Sequence, residues 1–110
     1  MAASFTVDPG PSRLALTRAV TDAITDCELT HRKRVPIDVA AARAQHDAYE
    51  QALLIAGCTV RHVDAAPNLP DAVFVEDTAV VVDEIAVMTR PGAESRRPEL
   101  PAAERALAPY

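Results

Sequence analysis

The chain has 110 residues, of which 49% are hydrophobic and 4% aromatic, and it carries a formal net charge of −5 at pH 7. That length fits one small domain, and the negative charge argues against nucleic acid as a partner. Because aromatic residues are scarce and Trp is absent, alanine and valine are expected to fill the core, each contributing a modest burial energy.

Cysteine usage is low, with Cys27 and Cys58 as the only two. The sequence has no signal-peptide pattern and no apolar run of membrane-spanning length, so a reduced cytoplasmic setting without membrane contact is expected. Cys27 and His31 stand four positions apart, but two ligands do not make a zinc site and no second pair follows. We therefore predict neither a metal nor another cofactor.

The beginning of the chain is expected to lack regular structure. Residues 1–12 contain Pro9-Gly10-Pro11 and are predicted to form a flexible leader, which leaves residues 13–110 as the domain. A short strand is predicted over residues 14–18. The residues that follow, 19–26, are compatible with either a short helical turn or a loop.

Residues 27–36 end at a proline and carry several charged side chains, which is typical of an exposed loop. Loops on a rigid frame are where substrate contacts are often found.

The clearest helix is predicted over residues 38–56. Asp38 is a favourable N-cap, and Gly57 can adopt the left-handed conformation that ends a helix. One apolar stripe recurs at spacings of three and four residues and comprises Val39, Ala42, His46, Tyr49, Leu53 and Ala56. His46 lies on this stripe, where a hydrogen-bonded core histidine is more frequent than a catalytic one.

Residues 59–63 alternate in polarity, as a half-buried strand does, and the order strand, helix, strand predicts a parallel pair joined by a right-handed crossover. His62 is expected on the polar side, without a chemical role. Two further β-rich runs flank Asp83-Glu84 and predict a hairpin over residues 78–89. A loop at 95–98 and a helix over 101–108, with proline in its first turn, complete the pattern.

The segment between these elements, residues 69–82, carries three carboxylates within an apolar run: Asp71, Glu76 and Asp77. Buried carboxylates are costly unless they are paired, and a guanidinium can bond several of them through its planar set of N–H donors. The alternative is the beginning of a strand in which Asp71 and Asp77 are solvated turn residues. Composition by itself favours that alternative.

Four motifs in this order resemble the dimethylargininases (dimethylarginine dimethylaminohydrolases). They are Cys-Glu-Leu-Thr-His at 27–31, Ala-Gln-His-Asp-Ala-Tyr at 44–49, Leu-Pro-Asp-Ala-Val-Phe-Val-Glu-Asp-Thr-Ala-Val-Val at 69–81 and Thr-Arg-Pro-Gly-Ala-Glu-Ser-Arg-Arg at 89–97. The resemblance runs from about residue 14 to residue 110 and covers less than half of the family's usual length. It implies the N-terminal part of a pentein-type α/β-propeller, about one and a half of its ββαβ modules.

Members of that family hydrolyse N-omega-methylated arginines to citrulline and a methylamine. The resemblance implies that Asp71 and Asp77 hold the guanidinium nitrogens, that Glu76 closes the acidic pocket and that Phe74 packs against the flat cation. In a regular strand Asp71 and Asp77 would share one face while Phe74 and Glu76 shared the other. We therefore expect the backbone to turn or bulge between them.

The resemblance further implies that Arg96 binds the α-carboxylate of the substrate and that Leu29 lies on a loop that closes over it. In this family a cysteine attacks the guanidinium carbon and a histidine transfers protons. No residue of the chain matches either motif, because Cys27 and Cys58 fall at other positions and the histidines lie in other contexts. We predict no catalytic residue here and an inactive isolated chain.

Two alternatives remain open from the sequence. One is a sister activity such as an arginine deiminase, although the Phe-Val-Glu-Asp and Ser-Arg-Arg contexts favour the dimethylargininases. The other is a non-catalytic protein that binds a guanidinium ligand or a partner chain through exposed edges. The expected partners are a small methylated arginine, a C-terminal half that carries the missing residues, or a second copy bound through uncovered strand edges.

Overall fold

The computed structural model describes residues 13–110, and the predicted leader at 1–12 lies outside the described residues. Strands and helices alternate in the predicted order, which confirms the mixed α/β class. The elements are β1 Leu14–Thr17, α1 Val39–Ile55, β2 Thr59–His62, β3 Ala79–Val82, β4 Ile85–Met88 and α2 Leu100–Leu107. Three short 3-10 helices lie between them, at Asp22–Asp26, Val75–Thr78 and Glu94–Glu99.

Strands β1 and β2 pair in parallel, with Leu14 opposite Thr59 and Thr17 opposite His62. The parallel pair is therefore confirmed. Its predicted half-buried alternation is not observed along β2, because Val60 is half-buried while the side chain of His62 is 63% exposed. The reason is that the sheet has only two strands in the described part of the chain, so little covers its faces.

Local sequence signals define both ends of α1. The Asp38 carboxylate accepts a hydrogen bond from the backbone N–H of Ala41 at 3.0 Å, which satisfies one of the free donors of the first turn. At the other end Gly57 has φ +91°, a conformation that only glycine adopts without strain. The predicted helix 38–56 is confirmed with its caps.

The apolar stripe of α1 is only partly covered. Val39 and Ala42 pack against a small core cluster of Val20, Ile24 and Cys27. Farther along the helix Tyr49 is 56% exposed, and no residue of α1 is fully buried. The stripe therefore has more apolar surface than the described part of the chain covers.

The Glu50 carboxylate connects α1 to both parallel strands. Its Oε1 atom accepts a hydrogen bond from the Thr17 hydroxyl at 2.6 Å and lies 3.0 Å from His62 Nε2. His46 Nε2 is 3.2 Å from the same oxygen, but it is not aligned for a hydrogen bond. His46 is thus a largely buried histidine beside a carboxylate and not the hydrogen-bonded core residue that the sequence predicts.

The hairpin of β3 and β4 forms as predicted, antiparallel, with Ala79 opposite Met88 and Val82 opposite Ile85. Its side chains are mostly uncovered, since Val80 and Val81 are each 60% exposed and Val87 is 53% exposed. Such an apolar, open-edged hairpin is typical of a surface that another polypeptide covers.

The core is small and consists of small side chains, as the composition predicts. Its buried apolar residues are Val20, Ile24, Cys27, Val63, Ala66, Ala72, Ala102 and Ala103. Helix α2 begins with Pro101 in its first turn and supplies two of these alanines. The predicted loop at 95–98 is wrong, because residues Glu94–Glu99 form a 3-10 helix that includes Pro98 and leads directly into α2.

Within residues 13–110, neither helix combines the length and the apolar character that crossing a membrane requires.

Replacing Glu50 with Gln is expected to lower the free energy of unfolding at pH 7 by about 1–2 kcal/mol, because the hydrogen bonds that it accepts lose their charge. Burial raises the pKa of the Glu50 carboxyl, but the hydrogen bonds from Thr17 and His62 outweigh it and leave the pKa below its ordinary value. Because the pKa of Glu50 is lower in the folded state, the ionised carboxylate stabilises the fold at any pH above its unfolded-state pKa of about 4.5. This stabilisation is lost as the pH falls through the folded-state pKa.

Urea unfolding at pH 7 and at pH 3 measures this difference. Glu84→Gln, in the exposed hairpin turn, is the matched control and should change little at either pH. A Glu50→Gln deficit that is as large at pH 3 as at pH 7 would contradict the assignment.

Candidate functional site

The carboxylate segment is a series of tight turns that precedes β3. Backbone N–H groups bond to carbonyl groups three residues earlier, from Phe74 to Asp71 at 3.0 Å and from Asp77 to Phe74 at 3.1 Å. The Thr78 hydroxyl also donates to the Val75 carbonyl at 2.6 Å. The backbone therefore turns between these residues, as expected, and Val75–Thr78 leads directly into β3.

Asp71 is a buried carboxylate, with 5% of the residue exposed. Its two carboxylate oxygens lie 3.1 and 3.3 Å from the backbone nitrogen of Glu28, which donates to them. Asp71 is therefore not a solvated turn residue. Its carboxylate joins the turn segment to the beginning of the exposed loop 27–36.

The guanidinium of Arg96 also bonds to the turn segment. Its Nη1 donates to Asp77 Oδ2 at 2.7 Å, and its Nη2 donates to the carbonyl oxygens of Phe74 at 3.3 Å and Asp71 at 3.4 Å. One guanidinium thus contacts three of the residues that the sequence singles out. The acidic segment pairs with a guanidinium, and that guanidinium comes from the protein itself.

The same guanidinium neutralises a buried carboxylate. Glu99 is 1% exposed, and its two oxygens accept from Arg96 Nε at 3.0 Å and Nη2 at 2.9 Å, a bidentate pair. The hydrogen bonds with Glu99 raise the pKa of Arg96, burial opposes them, and the Asp77 carboxylate adds to the rise. Arg96 therefore stays charged.

Arg18, directly after β1, forms a second buried cation. The residue is 3% exposed, and its guanidinium donates to the carbonyl oxygens of Asp64 at 2.7 Å and Glu99 at 3.1 Å. Burial lowers the pKa of Arg18, and the nearby charges of Glu99 and Asp64 oppose that fall. Sequence reasoning missed Arg18 and Glu99, since neither lies in a motif and their contact spans 81 positions of the chain.

Phe74 and Glu76 point away from this cluster. They line a mostly apolar cleft of about 710 Å³ together with side chains from β1, α1, β3 and α2. Asp71, Asp77 and Arg96 do not line that cleft. The predicted substrate residues therefore fall into two groups, with Phe74 at the boundary between them.

Leu29 lies on the exposed loop and is 42% exposed. Its neighbour Glu28 contacts both sides of the site, because its backbone N–H bonds to Asp71 and its Oε1 accepts from the Ser95 hydroxyl at 2.5 Å. Sequence reasoning missed Glu28 and Ser95 as contact residues, although both lie inside the motifs that it quoted.

The cysteines and histidines lie outside this cluster of contacts. Cys27 is buried in the small core, Cys58 is half-buried beyond α1, and the two are not bonded to each other. Among residues 13–110, no three side chains of the His, Cys, Asp or Glu type are arranged to hold a metal ion.

Replacing Arg96 with Met is expected to lower the free energy of unfolding by about 3–5 kcal/mol, the range for breaking a buried pair, since Glu99 is left as a buried charge. Chemical denaturation measures the effect. Adding Glu99→Leu should restore most of the loss. Arg97→Met, next in sequence and more exposed, is the control, with an expected loss below about 1 kcal/mol. Equal losses for Arg96→Met and Arg97→Met would contradict the buried-pair assignment.

No protein-family model matches the chain. Curated relatives do match it. The N(G),N(G)-dimethylarginine dimethylaminohydrolase of Streptomyces coelicolor is 44% identical over 98 residues, which cover 89% of this chain and 38% of that protein. The protein of the same name from Pseudomonas aeruginosa is 38% identical over 82 residues, covering 74% of this chain and 30% of that protein.

Solved structures of dimethylarginine dimethylaminohydrolases also share the fold. One, an adduct with S-methyl-L-thiocitrulline, has a TM-score of 0.82 at 32% identity and covers 90% of this chain and 39% of its own. The Pseudomonas aeruginosa protein, a cysteine-to-serine mutant complexed with citrulline, has a TM-score of 0.81 at 33% identity, covering 89% and 38%. By sequence and by fold, the chain is a homologue of the dimethylarginine dimethylaminohydrolases, and it spans less than two fifths of the length of the curated relatives described above.

Proposed function

We propose that the chain is the substrate-recognising part of a hydrolase that converts N-omega-methylated arginines to citrulline and a methylamine. The 44% identity to a dimethylarginine dimethylaminohydrolase over 98 residues, or 89% of the chain, is the observation that carries this proposal. The nucleophilic cysteine and the proton-transferring histidine would come from polypeptide outside these 110 residues.

For the fold, the proposal is that these residues form about one and a half modules of a pentein-type α/β-propeller. Support comes from the surfaces that stay uncovered, namely the exposed valines of the hairpin and the apolar cleft of about 710 Å³. Further modules would cover both surfaces. Either a C-terminal half or, by self-association through the same edges, a second copy would supply the contact.

Recognition of the guanidinium would fall to Asp71 and Asp77, with Glu76 adding negative charge and Phe74 a flat apolar contact. The contact between Arg96 Nη1 and Asp77 at 2.7 Å supports this role, because it shows that the Asp77 carboxylate accepts a hydrogen bond from a guanidinium group. Phe74 is 39% exposed, so that part of its side chain is available to a ligand.

Arg96 would bind the α-carboxylate of the substrate only by exchanging partners. Its Nε and Nη2 are held by the buried Glu99, so Nη1 is the group that can leave Asp77 for another carboxylate. That exchange would free the Asp77 carboxylate for the substrate guanidinium. The same movement of Arg96 Nη1 would then allow binding of both the α-carboxylate and the guanidinium of the substrate.

The chemistry of bond cleavage has no visible source in the described residues. Cys27 packs in the core, and Cys58 is half-buried beyond the C-terminus of α1. Carboxylates that bind the cation equally in the ground state and the transition state do not raise the chemical rate. Two unpaired cysteines also agree with the cytoplasmic setting that we propose.

The isolated chain is expected not to release citrulline from asymmetric dimethylarginine, because Cys27 is buried in the core and Cys58 lies outside the cluster of contacts at the acidic turn. A citrulline assay measures this, with a Cys27→Ala, Cys58→Ala double variant as the control for thiol dependence. A chimera in which this chain replaces the matching segment of the Streptomyces coelicolor relative should be active. Thiol-dependent turnover by the isolated chain, or an inactive but folded chimera, would contradict the proposal.

In that chimera, Asp77→Asn should raise KM for asymmetric dimethylarginine about 10-fold to 100-fold, the range for losing a charge-assisted hydrogen bond. Steady-state kinetics provide the measurement. Asp83→Asn, in the exposed hairpin turn, is the matched control and should leave KM unchanged. An unaltered KM in Asp77→Asn would exclude Asp77 from substrate binding.

A further inference from the structure

Glu28 makes two contacts that no role assigned above requires. Its backbone N–H donates to the buried Asp71 carboxylate, at 3.1 and 3.3 Å from the two oxygens. Its side-chain Oε1 accepts from the Ser95 hydroxyl at 2.5 Å, across 67 positions of sequence. One residue therefore connects the exposed loop to the turn segment and to the 3-10 helix that carries Arg96.

Three hydrogen bonds, together with the covalent chain that links their ends, form a closed ring at the site. Ser95 is adjacent to Arg96, whose Nη2 reaches the Asp71 carbonyl at 3.4 Å, and Asp71 in turn accepts from Glu28. Because the ring returns to its starting residue, fixing the Glu28 side chain also fixes the backbone that leads to Leu29.

The loop has few other restraints. Every residue from 28 to 36 is exposed, so packing contributes little to its position. Arg34 donates to the carbonyls of Thr25 and Cys27, at 2.7 Å for Cys27. These two bonds restrain the beginning of the loop, before Glu28. The Glu28 side chain adds a restraint between the loop and the 3-10 helix Glu94–Glu99, through its contact with Ser95.

We propose that the Glu28 and Ser95 side chains form a clasp that positions Leu29 over the guanidinium site. The inference rests on the proposed function, since Leu29 matters only if a methylarginine binds there. Glu28 is then a positioning residue that acts through Leu29 and not on the reacting atoms. A contact made alike in the ground state and the transition state changes KM and leaves kcat unaltered.

The first test measures the loop in the 110-residue chain without ligand. Ser95→Ala should speed amide hydrogen exchange at Glu28 about threefold to tenfold, the effect of one net hydrogen bond, as followed by NMR. Ser95→Thr keeps a hydroxyl and should restore the slow exchange. Glu94→Ala, at the neighbouring exposed glutamate, is the matched control. Unchanged exchange in Ser95→Ala overturns the clasp whatever the chain binds.

The second test uses the active chimera described above. Glu28→Ala and Glu28→Asp, whose carboxylate is one methylene too short, should each raise KM for asymmetric dimethylarginine about threefold to tenfold at constant kcat. Glu28→Gln keeps the acceptor and should stay near the parent value. Glu28→Ala with Ser95→Ala should be no worse than either change by itself.

The two tests separate the two proposals. An altered exchange rate with an inactive chimera supports the clasp and counts against the proposed function. Additive effects in the double variant, or an equal loss in Glu28→Gln and Glu28→Ala, overturn the clasp while the proposed function stands.

Discussion

The buried pair of Arg96 and Glu99 is the interaction on which the rest of the structure depends. A carboxylate that is 1% exposed is tolerated only because the guanidinium meets both of its oxygens. Arg18 bonds to the backbone of the same residue, and Arg96 continues to Asp77. The end of β1, the beginning of α2 and the acidic turn are thereby joined through one buried residue, Glu99, and its partner Arg96.

That arrangement explains how three carboxylates can lie in an apolar segment without unfolding it. Asp71 is satisfied by a backbone N–H and Asp77 by Arg96, while Glu76 stays exposed at the cleft. The protein supplies internally the type of cation that we propose as its substrate. A ligand would therefore compete with an existing contact, which favours binding by exchange of partners over binding to an empty acidic pocket.

The stability of the described part is limited by what it leaves uncovered. Its buried apolar side chains are mostly alanine and valine, and the hairpin exposes Val80, Val81 and Val87 by more than half. Small buried side chains contribute little burial energy, so each buried polar contact has a large share in the fold. Arg96 and Glu99 are for this reason positions at which single substitutions are expected to be most damaging.

Local sequence was sufficient for the long helix and the hairpin, because the signals that define them act over a few residues. The Asp38 cap, Gly57 with φ +91° and the two β-rich runs predicted α1 and the hairpin correctly. The 3-10 helix at Glu94–Glu99 was missed, since its turn bonds compete closely with an irregular loop around Pro98. Alternation along β2 failed because burial depends on neighbours that the strand does not itself specify.

The sequence by itself also determined the composition of the acidic turn, and hence its suitability for a guanidinium. Which groups meet there was decided only by the tertiary structure, because Glu28, Asp71 and Ser95 come together across 67 positions of chain. The same holds for Arg18 and Glu99, which are 81 positions apart and lie in no motif. Local conformational preferences depend on neighbouring residues, whereas the partner of a buried charge depends on the packing that brings distant segments together.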